Sequence, residues 1–152
     1  MIGYKHVMIN IREKHMAKNE PLSESLEDYL ETILELQTTK TVARSKDIAD
    51  RMDIKRGSVT GMLKKLADNN LVNYEPYGYV TLTPEGRKIA QEIENRHIFL
   101  KDFFSRILAI DEETADRTAC QMEHAMDKLT FQKFRAFIQK IDTCPHCRPD
   151  SV

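Results

Sequence analysis

From Ser25 onward, three successive segments repeat apolar residues three and four apart, and two short β-rich runs come after them; few folds accept that order. Leu26, Tyr29, Leu30, Ile33 and Leu34 trace one face of an amphipathic helix that ends near Thr38. Ser45, a favourable N-cap residue, opens a short helix carrying Ile48, Ala49 and Met52. After a turn at Asp53 and Ile54, a third helix is expected from about residue 55 to 68, with Val59, Met62, Leu63 and Leu66 as its stripe. Residues 71–74 and 79–82 flank Pro76-Tyr77-Gly78 and read as a small hairpin. Helix, short helix, turn, helix and hairpin is the order of a winged helix-turn-helix. In that fold the third helix enters the DNA major groove and the hairpin lies along the backbone.

The second half is wholly helical in pattern. Thr83-Pro84 supplies an N-cap and a proline at the first helical position. The helix it opens runs to about residue 108, with Ile89, Ile93, His97, Leu100, Phe104 and Leu108 on one face. Asp111 caps a further helix, to about residue 128, and Thr130 is expected to cap the last, which carries Phe131, Phe134, Phe137, Ile138 and Ile141. The fold class is therefore mainly α with a small β-hairpin wing. Four segments are expected: a leader or N-terminal extension over 1–22, a winged helix-turn-helix DNA-binding domain over 23–86, an all-α domain over 87–142, and a CxxC tail over 143–152. The tail motif, Cys144-Pro145-His146-Cys147, lacks the second ligand pair of a closed zinc site.

Composition narrows the functional classes. Hydrophobic content of 41% and charged content of 31% are those of a globular domain, with no apolar run long enough for a membrane span. The N-terminus carries no secretory pattern, and three cysteines fit thiols in a reducing cytoplasm, so a cytoplasmic location is expected. Net charge is only −1, so any nucleic-acid binding must come from a local patch. Such a patch exists: residues 40–65 hold eight Lys or Arg against three acids, a local excess of five. Lys46, Arg56, Ser58, Thr60, Lys64 and Lys65 are the candidate phosphate or base contacts, with Tyr77 at the wing tip. Lys40 and Arg44 read as solvated. A basic helix face is also what an ordinary solvated surface looks like; the ordered series of elements favours DNA.

A second constellation concerns metal. Cys120, Glu123 and His124 stand at i, i+3 and i+4, which puts a thiol, a carboxylate and an imidazole on one helical face. These are standard ligands for borderline divalent ions. Asp28 and Glu31 are also three apart, on the first helix, although Asp28 could instead complete a capping box with Ser25. His97 on a core-facing stripe could be a satisfied core histidine, and Cys120 alone a small buried hydrophobe. No His-Glu-x-x-His, Gly-rich phosphate loop or nucleophile–base signature is present, so no enzymatic activity is expected.

Several stretches in order carry a resemblance that spans residues 25–141. They are Leu26-Glu27-Asp28-Tyr29-Leu30-Glu31-Thr32-Ile33, Asp47-Ile48-Ala49, Ser58-Val59-Thr60, Leu82-Thr83-Pro84-Glu85-Gly86, Arg96-His97 and Cys120-Gln121-Met122-Glu123-His124. Together they resemble the DtxR/MntR family of metal-dependent transcriptional repressors. The resemblance implies that residues 87–142 are a metal-binding and dimerisation domain, and that a homodimer binds a palindromic double-stranded DNA operator when loaded with Mn²⁺ or Fe²⁺, with no membrane and no small organic substrate as partner. It further implies Asp28, Glu31, His97, Cys120, Glu123 and His124 as the metal ligands. Manganese-type members share Asp28 and Glu31 but carry glutamate where Cys120 stands; iron-type members share Cys120 but carry methionine where Asp28 stands. The thiolate admits Co²⁺ or Zn²⁺ as well. Lys101 and Asp116 fall where the iron-type members' ancillary site has glutamate and histidine. The rival reading is a winged-helix regulator of a non-metal signal, with Glu123 and His124 structural.

Overall fold

The computed structural model describes residues 22–40, 42–76 and 78–143. The leader through residue 21, the wing-tip contact at Tyr77 and the Cys144/Cys147 motif lie outside the described residues. The chain divides after Pro84 into two compact units.

In the first unit, the Ser23 carbonyl accepts the amides of Leu26 and Glu27 at 2.8 and 3.1 Å and so starts α1, Glu24–Lys40. The helix thus begins one residue before Ser25, and Asp28 lies more than a turn inside it, too deep to complete a capping box. Helix α2 spans Ser45–Met52, and its N-cap is Arg44 rather than Ser45; Ser45 is already helical, and the Arg44 side chain makes no capping hydrogen bond. Asp53 then adopts a left-handed conformation, φ 53° and ψ 46°, which turns the chain into α3, Arg56–Asp68. Strands β1, Val72–Tyr74, and β2, Val80–Leu82, pair antiparallel with Asn73 opposite Thr81.

The hairpin is fixed to the helices by backbone and side-chain bonds. Ala43 and Val80 exchange two backbone hydrogen bonds, of 3.2 and 2.8 Å. The Leu82 amide donates to Gln37 Oε1 at 3.2 Å. Leu30, Ile33, Ile48, Val59, Leu63, Leu66 and Val80, all at 0% exposure, form the common core. Burying one such side chain contributes roughly 1.5–3 kcal/mol. The stripe of α3 is spent on this core, which leaves its polar side facing solvent.

The second unit is three helices and one irregular turn. Helix α4, Pro84–Asp102, runs into a π-helical turn over Phe103–Ile107, closed by the Leu108 amide on the Phe103 carbonyl at 3.2 Å. A wider turn shifts the helical phase of the residues beyond it, so Leu108 leaves the apolar face and is 50% exposed, against the periodic expectation. Helix α5, Glu112–Ala125, is capped by Asp111, whose Oδ1 accepts the Thr114 amide at 2.9 Å. Helix α6 spans Lys128–Thr143. Its cap is Asp127, not Thr130: Asp127 Oδ1 accepts the amides of Leu129 and Thr130 at 2.9 and 3.0 Å. A carboxylate two residues before an exposed amide reaches it better than a threonine already inside the helix.

Leu100, Phe104, Ala115, Ala119 and Phe131 form the unit's core, flanked by Phe99, Phe103 and Phe134. Phe99 meets Phe131 edge-on at 5.6 Å, and Phe103 meets Phe134 at 5.0 Å. The small Ala115 and Ala119 on α5 let α4 approach closely, which sets the facing residues of these two helices in register. Among the described residues no helix is long and apolar enough to cross a membrane.

Candidate metal centre and nucleic-acid interface

Helix α5 delivers the expected triad. One ligand atom each from Cys120, Glu123 and His124 lies within 4.8 Å of the others. Glu123 is the one charged side chain in the buried set of described residues, at 1% exposure. Cys120 is exposed, so it is not the small buried hydrophobe that a lone cysteine suggests. Glu123 Oε1 is 3.4 Å from His124 Nε2, and Glu123 Oε2 is 2.9 Å from His97 Nδ1 on α4. Arg96 Nη1 donates to the Glu123 carbonyl at 3.3 Å. A buried carboxylate is costly unless matched by charge and hydrogen bonds, and here two imidazoles face it.

The structure therefore brings His97 together with Cys120, Glu123 and His124. Asp28 and Glu31 stand in the other unit, both partly buried, one turn apart on α1. The donor set of α4 and α5 fits a divalent ion: thiol, carboxylate and imidazole within 4.8 Å need only a small closure to reach metal–ligand bonds of about 2.0–2.3 Å.

Lys101 and Asp116 stand out in the sequence, but the ring of contacts they make with His97 does not. His97 Nε2 is 3.3 Å from Asp116 Oδ1, and Lys101 Nζ donates to the same oxygen at 2.8 Å. The Lys101 hydrogen bond, then that from His97, holds the Asp116 carboxyl below the usual carboxylate range. Glu112, Asp116 and Cys120 recur every four residues, as do His97 and Lys101. That spacing was the available signal; which helices face each other was not. Lys101 also reaches Glu112 Oε2 at 3.6 Å, so its ammonium sits between two carboxylates of α5.

On the first unit, Lys46, Arg56, Ser58, Thr60, Lys64 and Lys65 are all exposed. Within α3, a Cβ built at Gly57 or Gly61 would meet nothing within 4 Å, so that face is open along its length. Lys40 is tied to Asp47 at 2.8 Å and Arg51 to Glu35 at 2.8 Å. Arg44, which reads as solvated from sequence, is exposed and also donates from Nη2 to Tyr79 Oη at 3.3 Å.

A basic helix-turn-helix succeeded in sequence by helices bearing a metal-ligand cluster defines a metal-responsive DNA-binding protein. Comparison with known proteins agrees. Residues 21–80 match the N-terminal DNA binding domain of iron dependent repressors, and residues 83–151 match their metal binding and dimerisation domain. An uncharacterized HTH-type transcriptional regulator of Methanocaldococcus jannaschii is 38% identical over 78% of this chain and 96% of its own length. The transcriptional regulator MntR of Escherichia coli O6:H1 is 37% identical over 86% of this chain and 79% of its own. Among solved structures, the manganese regulator SloR superposes with a TM-score of 0.65 at 25% identity; the match covers 84% of this chain and 58% of that one. The chain belongs to the DtxR/MntR family and is a metal-dependent DNA-binding transcriptional regulator.

Proposed function

We propose that this protein is a repressor that binds a palindromic operator as a homodimer when it is loaded with Mn²⁺ or Fe²⁺. The observation that carries the reading is the cluster of Cys120, Glu123 and His124 within 4.8 Å around a buried carboxylate. The proposed ligands are these three with His97, and Asp28 and Glu31 as the pair the family resemblance adds. Bound there, the ion supplies positive charge that holds carboxylates, thiolate and imidazoles in one arrangement. Manganese enters through relatives such as SloR, iron through the matched family, and Cys120 is the residue at which the two patterns part.

The chain's own groups do the reading. Arg56, Ser58 and Thr60 at the start of α3 suit base edges and phosphates in a major groove, while Lys46, Lys64 and Lys65 suit phosphates. Two such helices, one per subunit, would match half-sites a helical turn apart. The large apolar Ile98, Leu129 and Phe137 are exposed in the second unit, which supports a partner subunit there. Any loading that tightens the protein on DNA is tightened in return by DNA, because the coupling is reciprocal.

The test uses a duplex selected for binding from a random-sequence library, titrated in gel shifts with Mn²⁺, anaerobic Fe²⁺, Co²⁺ and Zn²⁺. Wild type should bind only with metal, His124→Ala should lose the response while keeping its fold, and Cys120→Glu should shift the response toward Mn²⁺. A full metal response in His124→Ala would sink the proposal.

A further inference from the structure

We propose that Arg44 and Tyr79 together form a preorganised clamp for a DNA backbone phosphate at the root of the wing. The inference rests on the DNA-binding reading and adds a contact to it.

The backbone builds the pair. Ala43 and Val80 exchange two hydrogen bonds, so the residue after Ala43 and the residue before Val80 emerge side by side. Those residues are Arg44 and Tyr79. The guanidinium carbon sits 5.1 Å from the centre of the tyrosine ring, and Nη2 donates to the phenol oxygen at 3.3 Å. Tyr79 is 56% exposed, and Arg44 is exposed too. A large aromatic left in solvent beside a cation has no packing role sufficient to explain it.

Contrast with the neighbouring cations decides the chemistry. Lys40 and Arg51 are each matched by a carboxylate at 2.8 Å, which cancels much of their charge. Arg44 rests on a neutral ring, which fixes its direction and leaves the charge in place. Asp47 also feels the Arg44 charge, but its carboxylate is engaged first by the Lys40 hydrogen bond, and among the described residues no carboxylate is in ion-pair contact with the Arg44 guanidinium. A depression next to Arg44 is lined by Lys40, Val42, Arg44, Lys46, Asp47 and Asp50, three cations against two carboxylates, so Lys46 adds a second cation beside Arg44. A planar, oriented guanidinium presents a fork that suits phosphate oxygens. Held against the wing, it is aimed at the backbone rather than at base edges, so its contribution is independent of sequence.

The test uses the full chain with Mn²⁺, a library-selected duplex and a scrambled duplex of equal length, measured by fluorescence anisotropy from low to moderate salt. Arg44→Ala should weaken both duplexes by the same factor, about threefold to tenfold, and make the slope of log K against log salt shallower by about one. Tyr79→Leu should weaken both less and keep the slope, because the charge remains and only its orientation is lost. Tyr79→Phe should stay close to wild type. Arg44→Gln serves if Arg44→Ala fails to fold. An unchanged slope in the arginine variant, or a loss confined to the selected duplex, overturns the clamp. Wild type that binds neither duplex would instead overturn the DNA-binding reading itself.

Discussion

Helices α3 and α5 are nearly equal in length, 13 and 14 residues, and treat charge in opposite ways. Helix α3 buries Val59, Leu63 and Leu66 and turns every one of its cations outward. Helix α5 buries Ala115 and Ala119 and, one turn further on, a carboxylate at Glu123. An outward cation costs little to keep and acts through a field that salt screens. A buried carboxylate must be matched within a few ångströms, and whatever matches it is fixed in place. The first arrangement suits a polyanion of variable sequence; the second suits a small cation held at one point.

The largest expected effect falls on the first unit, whose core is apolar. Leu63→Ala, at 0% exposure, should cost about 2–5 kcal/mol in denaturant unfolding and abolish DNA binding. Mn²⁺ should still bind the His97, Cys120, Glu123 and His124 group of the variant by calorimetry, more weakly for want of Asp28 and Glu31; complete loss would show that the second unit does not hold the ion by itself.

Next comes the second ring around the metal cluster. Asp116→Asn should weaken metal binding by roughly ten- to hundredfold without changing the thermal melt of the metal-free protein by much, since Asp116 is about half exposed, 53%. An unaltered affinity would mean that His97 needs no orientation from Asp116.

A smaller effect of opposite sign is expected on α3. Glycine inside a helix is disfavoured against alanine by roughly 0.5–1 kcal/mol, and a Cβ at Gly61 would meet nothing. Gly61→Ala should therefore raise the melting temperature. If it also weakens DNA binding, the open face is used for close approach; tighter or equal binding would show that the glycine has no part in recognition.

The smallest effect is a pH dependence at the start of α5. Hydrogen bonds from the Thr114 amide, then from its side chain, hold the Asp111 carboxyl below its ordinary range. A carboxyl lowered on folding stabilises above its unfolded pKa, and the contribution is lost as pH falls through the folded one. The melting difference between wild type and Asp111→Ala should thus shrink to nothing in acid. A difference that persists there would mean that the cap does not act through its charge.

Much of the fold and of the metal cluster is legible in the residue pattern alone. The 3–4 spacing of Val59, Met62, Leu63 and Leu66 predicts α3 and which side of it stays polar. The i, i+3, i+4 spacing of Cys120, Glu123 and His124 predicts a shared face, because helical periodicity is a property of the local chain. The misses are local details with competing solutions. Arg44 rather than Ser45 precedes α2, Asp127 rather than Thr130 caps α6, and the π-helical turn carries Leu108 out of phase.

Sequence by itself determined the order of elements, the outward basic face of α3 and the shared face of Cys120, Glu123 and His124 on α5. Each comes from spacing along a single segment. Only the tertiary structure decided that Glu123 is buried, that His97 faces it at 2.9 Å, and that Asp116 and Lys101 stand behind His97. It also decided that Arg44 meets Tyr79, 35 residues away. Those pairings depend on which helix or strand packs on which, and small residues such as Ala115 and Ala119 allow a close approach without naming the partner.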